Sequence, residues 1–184
     1  MILIFSAPSG SGKSTLVQHL LDTRQDMELS ISATTRAPRG QEQDGKEYYF
    51  ISPERFEQLI RDDAFVEWEQ VYKGTYYGTL KSEIERIEGA GHHVVFDIDV
   101  KGGINVKRLF GDRARSIFIA PPSIEALRER LTKRGTDSQE KIEERLAKAE
   151  TEIADAPLFD TILVNDDLNA TKAALDKEIA AFIG

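Results

Sequence analysis

Four short apolar runs punctuate the chain, Ile2 to Phe5, Val94 to Ile98, Arg115 to Ile119 and Thr161 to Val164, each rich in Val, Ile, Leu or Phe. Runs of this length and continuity predict strands covered on both faces, as in a parallel sheet. Between them, apolar residues recur at helical spacing: Leu16, Val17, Leu20 and Leu21; Ile124, Leu127 and Leu131; Ile142, Leu146, Ala149 and Ile153. Each set forms one stripe along a helix, and Leu168 to Ile183 adds a closing helix. Strand and helix alternate, so the expected fold is α/β, three layers built on a parallel sheet core with right-handed crossovers.

Residues 34 to 79 break that rhythm. TTRAPRG is a polar loop, and YYFIS and AFVEWEQV are strand-like runs around one short helix. Ser52 can cap that helix, Pro53 suits its first turn, and Ile51 with Phe56 can close a hydrophobic staple over the cap. Phe56, Leu59 and Ile60 supply its buried face. The segment is expected to be a small mixed β lobe inserted in the parallel core.

With 184 residues the chain is long enough for one well-packed domain with small inserted lobes. Its 24 basic against 32 acidic residues give a formal charge of −8, which argues against general affinity for nucleic acid or for an anionic membrane. Any polyanion would need a local basic pocket. Cysteine is absent, which removes disulfides and thiolate metal sites. The opening MILIF has no basic leader, and no apolar run approaches the roughly 20 residues of a spanning helix, so a cytoplasmic location is expected.

Against this background SAPSGSGKST, directly after the first strand, carries the strongest chemical signal. Ala7 through Gly12, Lys13 and Ser14 match the phosphate-loop pattern, with Ala7 where glycine is usual. Gly10 and Gly12 permit backbone conformations that turn successive amides towards an anion, and a helix starting near Lys13 adds its positive end. Lys13 would reach the β- and γ-phosphates of a nucleoside triphosphate, and the Ser14 hydroxyl would help to hold Mg²⁺. A second anchor is VVFDIDVKGG, in which a buried strand delivers Asp97 and Asp99 to the sheet edge where ligands gather. One carboxylate could serve Mg²⁺ through water and the other a base or ribose. His92, His93 and His19 make no ligand spacing, so no zinc is expected.

The ordered set SAPSGSGKST, SISATTRAPRG, DGKEYYF, FVEWEQVYKGTYYGT, VVFDIDVKGG, FIAPPS, RLTKRGT, EERL and VNDD resembles guanylate kinase over essentially the whole chain. The resemblance implies a phosphate-loop fold with core 1–33, 80–122 and 155–184, a GMP-binding lobe at 34–79 and a helical lid at 123–154. It also implies reversible transfer of the γ-phosphoryl group of ATP to GMP, or to dGMP, with Mg²⁺. ATP would lie along Ala7, Pro8, Ser9, Gly10, Ser11, Gly12, Lys13, Ser14 and Thr15, with Asn165 on its adenine side. The family's phosphate contacts for GMP fall on Arg36, Arg39, Tyr48 and Tyr77, and its base contacts on Ser32, Glu67, Thr79 and Asp99, with Asp97 also assigned to the GMP site and, through water, to Mg²⁺. Glu67 would accept from N1 and N2 of guanine, whereas adenine would turn a lone pair towards it. Arg130, Arg134 and Arg145 are the family's lid arginines, the last also facing GMP, while Arg128 reads as a helix-surface ion pair.

The acceptor is itself an ionised phosphate, so alignment and charge neutralisation matter more than a strong base. Lys13, Arg36 and the lid arginines would supply that, with closure of lobe and lid excluding water. Two other readings remain. A non-catalytic interaction domain of the same fold would not need Gly10, Gly12, Lys13 and the lid arginines together. A kinase for a sugar-phosphate acceptor would not need Glu67 with Ser32 and Thr79.

Overall fold

The computed structural model describes residues 1–72, 74–135 and 137–184, so Lys73 within VYKGTYYG and Thr136 at the end of RLTKRGT lie outside the described residues. In chain order the elements begin with β1 (Ile2–Ser6), α1 (Lys13–Thr23), β2 (Met27–Leu29), β3 (Ala33–Thr34), β4 (Tyr49–Phe50), α2 (Pro53–Arg61), β5 (Phe65–Tyr72) and β6 (Thr75–Leu80). They continue with α3 (Lys81–Gly89), β7 (His93–Asp97), α4 (Val100–Phe110), β8 (Ala114–Ala120), α5 (Ile124–Arg134), α6 (Gln139–Ala154), β9 (Thr161–Val164) and α7 (Leu168–Ile183). The chain forms two compact units, Met1–Gln25 with Val95–Gly184, and Asp26–Val94. The second contains the whole of the lobe expected at 34–79 and extends on either side to take in β2 and α3.

In the first unit β7, β1, β8 and β9 lie side by side in that order. β1 runs parallel to β8, and β8 to β9, in continuous register. Ile2, Leu3, Ile4 and Phe5 are fully buried, the signature of a strand with neighbours on both faces. The Ile98 N–H donates to the Phe5 carbonyl at 3.2 Å, so β1 and β7 end at one edge of the sheet and release their following loops together. Helix α4 packs against the end of β1 at Gly103, where a Cβ would stand 2.4 Å from Ser6 Oγ.

β9 departs from the expectation of cover on both faces: Ile162 and Val164 are 46% and 55% exposed. It is the edge strand of its sheet, with a neighbouring strand on one side alone. The stripes on α5 and α6 do meet, with Leu127, Leu131, Ile142, Leu146 and Ala149 forming one buried cluster. Ile153, predicted with that stripe, packs instead with Phe118, Ala156 and Phe159.

The second unit is a four-stranded mixed sheet in the order β4–β3–β6–β5. β3 pairs parallel with β4 and antiparallel with β6, while β5 and β6 form an antiparallel pair with Glu67 opposite Thr79. The YYFIS run yields strand only at Tyr49–Phe50, because Ile51 already turns towards the cap of α2. There Ser52 accepts from the Arg55 N–H at 3.2 Å, and Ile51 packs with buried Phe56 as a staple should. Phe56 stacks on Phe65 and Tyr76 at 4.4 and 5.3 Å, which fastens the helix to the sheet.

Candidate functional site

The loop between β1 and α1 is built from backbone. Its Ser11 N–H closes on the Pro8 carbonyl at 3.1 Å, and Gly10 and Gly12 have φ of +94° and +92°, a region that side-chain-bearing residues rarely enter. Each is also confined in space. A Cβ on Gly12 would sit 2.3 Å from Asn165 Nδ2, and one on Gly10 would press Leu127 and Leu131 of α5 at 3.0 and 3.1 Å. Ala7 has no such constraint: among the described residues Asp63 is the one non-glycine with positive φ. A methyl group at the first position of the pattern is therefore compatible with the loop. Gly12 is the N-terminal cap of α1, so the helix presents unpaired N–H groups and its positive dipole end beside Lys13, Ser14 and Thr15.

Lys13 Nζ pairs with the Asp97 carboxylate and lies 3.3 Å from the Ile98 carbonyl. Asp97 is thus engaged by the lysine directly. Asp99 does different work: Oδ1 accepts from the Gly102 N–H at 2.7 Å as the cap of α4, and its carbonyl accepts from Ser6 Oγ at 3.0 Å. The two carboxylates, both expected at this sheet edge, have separate partners. Nearby on α6, burial raises the Glu152 carboxyl above the usual range, offset in part by Lys148.

Three further residues reach this loop from α5, α6 and the end of β9. Asn165 is buried, and its side-chain amide donates to the Ser11 carbonyl at 2.8 Å, which makes it a brace for the loop. Arg130 Nη2 donates to the Asn165 carbonyl at 2.8 Å. Arg145 donates from Nη1 to Ser9 Oγ at 2.7 Å and pairs with Asp137. Arg145 accordingly contacts the phosphate loop itself, and Arg130 is tied to Asn165, the residue that braces it. Arg134 is not: it lies exposed in the last turn of α5, beside the Gly135 cap. Arg128 pairs with Glu143 on the helix surface, as the sequence suggested.

Within the second unit the predicted acceptor residues form two groups. In the first, Arg36 Nε donates to Tyr77 Oη at 3.0 Å, and its guanidinium lies over the Tyr48 ring at 4.9 Å. Its Nη1 and Nη2 grip the two oxygens of Glu42 at 2.6 and 2.8 Å, a fork-to-fork pair, and Nη1 also donates to the Ala37 carbonyl at 2.9 Å. Arg39 joins through its backbone N–H, which donates to Glu42 at 2.8 Å. Arg36 draws the Glu42 carboxyl down to about 2, and Glu42 raises the Arg36 guanidinium in return.

In the second group, Thr79 is fully buried and its hydroxyl donates to Glu67 Oε1 at 3.0 Å, directly across the β5–β6 pair. The single hydroxyl proton of Thr79 is thus directed to Glu67, and Thr79 orients that carboxylate. Ser32 is half-buried just before β3, and its carbonyl accepts from the Tyr49 N–H at 3.0 Å. Glu42 and Asp137 were not among the predicted site residues. Each sits in a polar turn a few residues from an arginine, a pattern that sequence alone cannot tell from a solvated loop.

Among the described residues no group of three or more His, Cys, Asp or Glu could hold a metal ion, and no helix is long and apolar enough to cross a membrane. A family model described as Guanylate kinase matches residues 1–182. The chain is 56% identical to a guanylate kinase of Porphyromonas gingivalis, covering 99% of this chain and 97% of the relative. It is 52% identical to one of Bacteroides fragilis, covering 100% and 90%. The structure is similar to the crystal structure of guanylate kinase from Anaplasma phagocytophilum, with a TM-score of 0.75 at 30% identity, covering 98% of this chain and 85% of that one.

Proposed function

From its membership of the guanylate kinase family, to which this chain belongs over its whole length, we propose how its residues divide the work of moving a phosphoryl group from ATP to GMP. The enzyme is a nucleoside monophosphate kinase, and the reaction returns ADP and GDP. The donor is assigned to the first unit. Backbone amides from Ser9 to Thr15 and the start of α1 cradle the β- and γ-phosphates, and Lys13 exchanges its Asp97 partner for phosphate oxygens. Arg130 and Arg145, already tied to Asn165 and Ser9, neutralise charge on the γ-phosphoryl as it leaves. Arg134 would act only if α5 re-orients its last turn.

The donor set fits Mg²⁺, because Ser14 offers an exposed hydroxyl one residue beyond Lys13 and Asp97 a carboxylate paired to that lysine, both hard oxygen ligands. Magnesium takes most of its remaining ligands from phosphate and water, so a larger protein cage is not required. Bound there, the ion would screen the phosphate charges.

The acceptor is assigned to the second unit, with Arg36, Arg39, Tyr48 and Tyr77 on the phosphate and Ser32, Glu67 and Thr79 on guanine; the family's further base contact falls on Asp99. One observation carries this assignment: Arg36 already grips an oxyanion, the Glu42 carboxylate, in a forked pair beside two tyrosines. A phosphate presents the same fork with more charge. Four guanidinium hydrogen bonds are already made, so the phosphate takes what remains of Arg36 or displaces Glu42. On the base, Thr79 turns Glu67 to accept from the N1 and N2 donors of guanine, and adenine would leave that carboxylate facing a lone pair.

The test is a coupled ADP-release assay with GMP, AMP, UMP and CMP, run on wild type and Glu67→Gln. The wild type should use GMP well ahead of the others, and the variant should lose guanine preference by roughly tenfold or more. An unchanged preference would overturn the assignment of Glu67.

A further inference from the structure

Glu83, in the first turn of α3, is only 3% exposed, yet every group facing its carboxylate is a donor. Oε1 accepts from the Ile31 N–H at 3.1 Å and from Arg86 Nη2 at 2.8 Å. Oε2 accepts from the Tyr49 hydroxyl at 3.0 Å and from Arg86 Nε at 3.2 Å. Arg86 is held from outside by Glu28 at 2.6 Å, and Glu28 also meets His92 Nδ1 at 3.0 Å. Arg86 together with the Ile31 N–H and the Tyr49 hydroxyl outweighs burial and holds the Glu83 carboxyl below the usual range, so it is ionised.

The partners are not scattered. Ile31 immediately precedes Ser32, and Tyr49 immediately follows Tyr48 and donates its N–H to the Ser32 carbonyl. Helix α3, which carries Glu83, begins two residues after Thr79. One buried carboxylate therefore joins the three segments that bear Ser32, Tyr48 and Thr79. An apolar side chain would fill the same space without the cost of desolvating a charge; what the carboxylate adds is direction, since four donors fix its plane. We propose that Glu83 is a positioning residue for the acceptor nucleotide, holding the base-binding and phosphate-binding segments of the second unit at a fixed separation.

The proposal rests on the assignment of Ser32, Tyr48 and Thr79 to GMP. Glu83 touches no substrate in this scheme and acts through Ile31 and Tyr49. Glutamine in its place has nearly the same shape but only one acceptor oxygen. Its amide would confront Arg86 in either orientation, together with the Ile31 N–H in one and the Tyr49 hydroxyl in the other, so donor would meet donor and at least one tie would break.

Steady-state kinetics with GMP and ATP varied separately, on the full chain, test this with Glu83→Gln, Tyr49→Phe and Glu67→Gln. Glu83→Gln should raise the KM for GMP about tenfold, with the KM for ATP and kcat at saturating GMP within about twofold of wild type. Tyr49→Phe, which removes a single tie and keeps the ring in its apolar cluster, should raise the KM for GMP about threefold. The proposal is overturned if the KM for GMP stays within about twofold of wild type in both variants, or if both substrates weaken together. Should Glu83→Gln fail to fold, Tyr49→Phe decides by the same criterion. Lost guanine preference in Glu67→Gln with an unmoved KM for GMP in the other two would sink the role of Glu83 alone. Unchanged preference in Glu67→Gln would sink the GMP reading beneath it.

Discussion

The two regions we assign to the substrates present their binding groups by opposite means. The loop after β1 does it with main chain: two glycines at positive φ, a helix start and one lysine, all within a few residues of one another. The sheet of the second unit does it with side chains held by other side chains, Arg36 by Glu42 and Tyr77, Glu67 by Thr79, across sequence separations of up to 41 residues. A backbone cradle tolerates exchange of any side chain that is not forced into its path. A side-chain cradle loses its aim whenever a supporting partner changes. The first region should therefore be brittle at Lys13, Ser14 and its two confined glycines, and far more tolerant at positions such as Ala7; the second should be sensitive to residues that never touch ligand.

The largest effect should come from Lys13→Ala, expected to lower kcat by roughly 10³-fold, as loss of a principal charge donor to a transition state does. GMP binding, followed by calorimetric titration, should stay within about twofold. Loss of GMP binding would show that the two regions do not act separately. Next comes Gly12→Ala, where φ of +92° and a Cβ placed 2.3 Å from Asn165 Nδ2 act together. It should cost about 1–3 kcal/mol of stability, read as a fall in Tm, and activity should fall with it. A stable, active variant would show that the loop is more pliant than its geometry indicates.

Glu42 sharpens the other side of the comparison through pH. Its carboxyl lies at about 2 in the folded protein against an ordinary value of 4.5, chiefly because Arg36 binds the ionised form. A depressed carboxyl contributes its stabilisation fully above the unfolded value and loses it as pH falls towards the folded one. Thermal melts between pH 5 and about 2 should therefore show wild type losing stability more steeply than Glu42→Gln. Parallel curves would mean that the pair with Arg36 is not kept in solution. The smallest effect belongs to Ala7→Gly, expected to change kcat and Tm little, with kcat within about twofold, since Ala7 already has an ordinary backbone conformation. A large gain would show strain at that methyl group.

Much of the architecture was legible because it depends on local pattern. β1, β8 and β9 fall on the apolar runs, and α2 begins at the capping signal of Ser52, Pro53 and the Ile51–Phe56 staple. β3, only two residues long, carries no periodicity to read, and β2 at three residues carries hardly more. The exposure of Ile162 and Val164 was also hidden, because an apolar run looks alike in a central and an edge strand until its neighbours are placed.

The sequence by itself determined the phosphate-loop pattern. Gly10, Gly12, Lys13 and Ser14 act through the conformation of their own stretch of chain, so their spacing is their geometry. Tertiary structure alone decided which carboxylates serve as supports: Glu42 under Arg36, Asp137 under Arg145 and Glu83 beneath Ile31 and Tyr49. It also converted Asn165 into a brace for the phosphate loop and directed the Thr79 proton to Glu67. The physical reason is common to all of these. A hydrogen bond depends on distance and direction between two groups, and when those groups are far apart in sequence only the folded chain sets either one.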